Sequence, residues 1–129
     1  MSLGTEYFIL VFCSALGFIQ AAANKSGLKG LLFSQKASVN RLVAGLLIAP
    51  GAIIFFTWNY RNPVGIIEGS QQAGLFTLAT LSAVGVTVIL SSVLNHSRLK
   101  TTTPVQPCLE ALKERTFVQA LFARFKWRR

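Results

Sequence analysis

"QAGLFTLATLSAVGVTVILSSVLN", Gln72 to Asn95, contains no Asp, Glu, Lys, Arg or His. It is longer than the ~20 residues a helix needs to cross ~30 Å of hydrocarbon at about 1.5 Å per residue. An ionised side chain at the centre of such a run costs ~2.5–3.5 kcal/mol on insertion scales, so a charge-free run of this length indicates a lipid-spanning helix.

Two more runs of the same kind lie upstream. "RLVAGLLIAPGAIIFFTW" occupies Arg41–Trp58 and "EYFILVFCSALGFIQAAAN" occupies Glu6–Asn24, and neither has Lys, Arg, Asp or His in its interior. The expected fold is therefore an all-α membrane protein with three transmembrane helices at about 6–24, 41–58 and 72–95. The first run is read as a retained span and not a cleaved signal peptide, because its positive charges follow the apolar stretch and "MSLGTEY" before it has none.

Charge sets the orientation. The chain of 129 residues is 52% hydrophobic and 13% charged, with 13 Lys and Arg against 4 acidic residues and a net charge of +9. The segment Asn24–Arg41 carries Lys25, Lys29, Lys36 and Arg41, and most of the remaining basic residues follow Asn95. The second connection carries Arg61 and Glu68, which cancel. The positive-inside rule then places the first loop and the C-terminus in the cytoplasm, and the N-terminus and second loop outside. Tyr7, Trp58 and Tyr60 fall at the outer interface, where amphipathic rings are favoured. A prokaryotic plasma membrane suits this layout, with an organellar inner membrane as the alternative.

The organisation expected is a three-helix domain over 1–97, a linker over 98–107 and a basic amphipathic tail over 108–129. In the tail, Phe117, Val118, Leu121, Phe122 and Phe125 recur on one face of a helix, flanked by Arg115, Arg124, Lys126, Trp127, Arg128 and Arg129. This is the pattern of a helix lying in the headgroup layer, where each cation near an anionic leaflet contributes ~1 kcal/mol. The partners implied are the lipid bilayer and anionic lipids of the cytoplasmic leaflet. Nucleic acid is not implied, since the basic residues sit between apolar runs and form no binding module. The first loop, with Leu28, Leu31, Leu32 and Phe33 among its lysines, is expected either along the inner surface or packed beneath the helices.

Helix association in lipid depends on close backbone approach and side-chain hydrogen bonds. Cys13, Gly17 and Ala21 form a stripe at spacing four in the first helix, and Gly45 with Ala49 in the second; these are the expected packing positions. Pro50 removes a backbone hydrogen bond, so a kink near Leu46–Gly51 is expected. Between the second and third helices, Asn62-Pro63-Val64-Gly65 reads as a turn, Ser70 as an N-cap, and Arg61 as a partner available to Glu68. Arg61, Glu68, Gln71 and Gln72 are the candidate ligand- or partner-binding residues.

The chemistry-bearing inventory is thin. There is one histidine, His96, and two cysteines, Cys13 and Cys108, in no metal-ligand or disulfide pattern; no catalytic constellation, metal or cofactor is expected. Three short spans bury little surface among themselves, so a membrane-protein partner or further copies of the chain are expected. The function that follows is a small accessory or scaffold protein. The alternative is a component of an oligomeric transport or lipid-handling assembly, with a path lined by Thr77, Thr80 and Thr87 and by the Arg61/Glu68/Gln72 loop.

Overall fold

A computed structural model describes residues 2–99 and 108–127. It is all-helical among the described residues, with α1 at Leu3–Ser26, α2 at Ala37–Arg61, α3 at Gly69–Asn95 and α4 at Phe117–Trp127. Short 3-10 segments at Lys29–Leu31 and Cys108–Lys113 complete the regular structure. Three of the helices, α1, α2 and α3, are long and apolar enough to cross a membrane.

Each long helix extends past its apolar run, because polar residues continue the helix beyond the greasy segment. Ser2 caps α1: its hydroxyl accepts from the Thr5 amide at 3.3 Å. At the other end Gly27 takes φ +68°, and its amide and that of Leu28 close on the Ala23 carbonyl, a left-handed cap that suits a residue without Cβ. The start of α3 departs from the expected cap. Glu68, in extended conformation, precedes the first helical residue and makes no side-chain capping bond, while Ser70 lies within the first turn. The helix starts early because Asn62 holds the loop: its carboxamide exchanges two 3.4 Å hydrogen bonds with the backbone of Ile67, a buried residue. Gly65, at φ +63°, closes the turn against the Asn62 carbonyl at 3.4 Å.

The helices form a row and not a closed bundle. α1 packs against both α2 and α3, whereas α2 and α3 share no packed interface among the described residues. The α1–α2 approach is closest at Gly17, where an added Cβ would stand 2.7 Å from Ile48 Cγ1 and 2.8 Å from the Ala44 carbonyl oxygen. A second near contact sets Gly51 against the Ser14 hydroxyl. On α3 the buried residues Ala79, Ala83, Thr87, Ser91 and Asn95 recur every fourth position, a small and polar stripe facing α1. The Thr87 hydroxyl donates back to the Ala83 carbonyl at 2.7 Å, which satisfies it without a neighbour.

α2 runs through Pro50 as one helix. Among the described residues no side chain donates to the carbonyl of Leu46, four residues earlier, and the nearby Ser14 hydroxyl is buried without a hydrogen-bond partner. Only 22%, 11% and 17% of the apolar windows of α1, α2 and α3 are buried inside the protein, so most of their hydrophobic surface faces outward.

Candidate functional site

The two ends of the row carry its polar groups. At the basic end, the α1–α2 loop folds back beneath the helices, the second of the two placements open to it. Leu32 and Gly30 are buried there. The loop is held by carboxamides of α1 and α3, and a carboxamide of α2 ties that helix to α1 beside it. Gln20 of α1 donates through Nε2 to the Leu31 carbonyl at 2.9 Å and accepts at Oε1 from the Phe33 amide at 2.9 Å. Asn95 of α3 donates to the Leu32 carbonyl at 2.7 Å and to its own helix at Ser91 at 2.9 Å. Gln35 joins this set, donating to Asn95 Oδ1 at 2.7 Å and to the Lys29 carbonyl at 3.0 Å. Asn40 of α2 donates to the Gln20 main-chain carbonyl at 3.0 Å, while its own Oδ1 is buried without a partner.

Gln20 and Asn40 are 0% exposed and Asn95 is 1% exposed, so apart from the Asn40 Oδ1 their polar atoms exchange water for partners within the protein. A buried amide without partners costs about 1–3 kcal/mol per group, which is why such residues fix one arrangement of the chain. The cluster leaves little trace in the sequence. Its signal was Gln20, a lone carboxamide inside an apolar helix, which requires a partner on another segment.

The C-terminal segment closes over the same end. Ala111, Leu112 and Thr116 are buried, and the Arg115 carbonyl lies directly against Gly30, where any Cβ would collide with it. Thr116 and Gln119 form a reciprocal capping box at the start of α4, at 3.3 and 3.2 Å. Gln119 also donates through Nε2 to the carbonyl of His96, the residue that caps α3, at 3.2 Å.

These anchors determine which way α4 faces. Gln119 turns toward the body, and the opposite side exposes Phe117, Val118, Leu121, Phe122 and Phe125, with Phe122 70% exposed. Arg124 and Lys126 are exposed at the two margins of that apolar side, as the 100° step of a helix dictates. Arg115 is half-buried. The Trp127 side chain, Arg128 and Arg129 lie outside the described residues.

At the opposite end, Arg61 pairs with Glu6 at 3.2 Å and not with Glu68. The row explains this choice: the N-terminus of α1 stands beside the C-terminus of α2, so Glu6 is the acid within reach. The rings of Tyr7 and Trp58 meet at a tilt of 50°, with centroids 5.1 Å apart. Glu68 and Gln71 are exposed, and Gln72 is half-buried, with no side-chain hydrogen bond to it among the described residues. The four residues Arg61, Glu68, Gln71 and Gln72 are thus not drawn into one constellation.

Compared with protein-family models, curated proteins and solved structures, the chain matches none of them.

The packing positions divide. Gly17 is buried against α2, and Cys13 is half-buried with a free thiol. Ala21, Gly45 and Ala49 are exposed, and Gly45 has nothing within 4 Å of an added Cβ. Spacing alone could not choose among small residues, since nearly every face of these helices carries some.

Proposed function

We propose that the chain is a small accessory or scaffold protein of a prokaryotic plasma membrane, with its N-terminus outside and its C-terminus on the cytoplasmic side. In this reading the outward surfaces of α2 and α3 pack against a larger membrane protein or further copies of the chain, and α4 lies on the inner leaflet. One observation carries it: the row α2–α1–α3 leaves both outer helices with an apolar flank that no part of the described chain covers. Lipid can cover such a flank, but a scaffold needs one, and the locked basic end holds the three helices ready to present it. The orientation is supported by charge: of the 10 Lys and Arg among the described residues, only Arg61 belongs to the end opposite the folded-back loop.

For α4, the support is the exposed apolar side with Arg124 and Lys126 at its margins, a geometry suited to anionic headgroups. The transport alternative draws less support. Arg61 is engaged with Glu6, and the hydroxyls of Thr77, Thr80 and Thr87 all donate to carbonyls within α3 at 2.7–2.9 Å.

The test is in-cell crosslinking from α2 and α3, followed by purification in mild detergent. A defined partner or a homo-oligomer captured through both flanks is expected. A stable monomer that crosslinks to lipid alone would overturn the reading. The orientation is checked separately by labelling Lys29 with an impermeant amine reagent, which should react only after the cells are opened.

A further inference from the structure

At the basic end, a groove of about 360 Å³ runs between α1 and α2 on the outside of the row. Its α1 wall is Ala21, Asn24 and Lys25, and its α2 wall is Arg41, Ala44, Gly45 and Ile48. Both sets fall at the i, i+3, i+4 spacing that places residues on one helical face.

Its two ends differ chemically. Lys25 lies in the last turn of α1 and Arg41 in the second turn of α2, so both cations stand at the mouth, level with the loop. Both are exposed, and among the described residues no carboxylate pairs with either. Asn24 is already committed, its Nδ2 donating to the Ala37 carbonyl at 3.3 Å. From Arg41 to Ile48 the α2 wall descends roughly 10 Å, and below the mouth it offers only Ala44, Gly45 and Ile48. Gly45 is why there is room: with no side chain and no neighbour within 4 Å of an added Cβ, it leaves the α2 wall open at mid-depth.

A site with two unpaired cations above a narrow apolar trough matches one ligand class, a molecule with a single anionic group joined to a hydrocarbon chain. We infer that this groove holds an anionic phospholipid, its phosphate between Lys25 and Arg41 and one acyl chain along Gly45 and Ile48. The guanidinium of Arg41 suits phosphate, which it can engage with two parallel N–H donors. A water-soluble phosphate would leave the apolar trough unused. A zwitterionic lipid would bring its own cation beside the two already there. The inference rests on the reading that the long helices cross a bilayer, but on nothing about a protein partner.

The test uses the full chain purified in mild detergent, with retained lipid counted by native mass spectrometry during titration with phosphatidylglycerol, phosphatidylcholine or inorganic phosphate. One tightly held phosphatidylglycerol per chain is expected, with phosphatidylcholine weaker by roughly tenfold or more, given two basic groups at the headgroup. Inorganic phosphate should neither bind nor displace it. Lys25→Gln with Arg41→Gln should abolish the preference for the anionic headgroup. Gly45→Leu, whose Cβ meets no atom within 4 Å and whose side chain enters the trough, should weaken both lipids while leaving thermal stability intact. Arg124→Gln with Lys126→Gln, on α4, should leave the single retained lipid in place. Retention unchanged by the groove substitutions, displacement by phosphate alone, or loss only with the α4 substitutions would each overturn the site. Failure of the spanning reading would show independently, as release of the chain from membranes by alkaline carbonate.

Discussion

The two ends of the helical row solve the same problem, how to hold a connection between consecutive helices, with different chemistry. At the basic end, the buried carboxamides of Gln20, Asn40 and Asn95 donate to main-chain carbonyls at 2.7–3.0 Å, and half-buried Gln35 braces Asn95 at 2.7 Å. At the opposite end, a part-exposed ion pair, an aromatic contact and two 3.4 Å bonds from Asn62 do the work. The first kind of contact is stringent because water cannot substitute for a lost partner; the second is tolerant because water can. The fold is thus pinned at one end and only steadied at the other.

The sharpest way to break this contrast is Gln20→Leu. It preserves bulk but leaves the Leu31 carbonyl and the Phe33 amide without partners, and should cost about 2–5 kcal/mol. Thermal unfolding in detergent measures it, and a loss as small as that of an opposite-end variant would erase the distinction. Next in size is Gly17→Val, which drives a branched side chain against Ile48 and the Ala44 carbonyl and should cost about 1–3 kcal/mol by overpacking. Gly45→Ala, on α2 but open to the outside, should cost nothing and gain about 0.5–1 kcal/mol from helix propensity. Equal losses at the two glycines would refute the α1–α2 interface described above.

Gly30→Ala should act more locally. Its new methyl group meets the Arg115 carbonyl, so the C-terminal segment should lift away while α1, α2 and α3 stay packed. Limited proteolysis should then cut near Thr116 faster than in the parent, with helical content from circular dichroism falling by no more than α4 contributes. The smallest effect belongs to Arg61→Gln. The pair with Glu6 is 43% and 29% exposed, and solvent screening limits its loss to less than about 1 kcal/mol. A larger loss would show that the opposite end is pinned as well.

Much of this architecture is legible in the residues, and the part that is not has a physical reason. The three spans follow from length and missing charge, which act locally, so reading along the chain finds them. Their ends are missed by up to four residues because Ala37–Asn40 and Gly69–Gln71 are helical without being greasy. The row escapes notice because small residues occur on several faces of every helix, and only packing shows that Gly17 is used and Gly45 is not. The carboxamide cluster is harder still. Asn95 and Leu32 meet across 63 positions, and at the edge of an apolar run an asparagine looks like the end of a span. Arg61 has two acids within plausible reach, and topology selects the one more distant in sequence.

The central place of α1 also carries a consequence for biogenesis. Since α2 and α3 share no packed interface among the described residues, neither serves as a template for the other. The helix that both require is the one the ribosome delivers ahead of them, so each later span meets its docking surface as it emerges. Moving that first span to the end of the gene, with the rest of the polypeptide unchanged, would oblige the other two to wait in lipid unaccompanied.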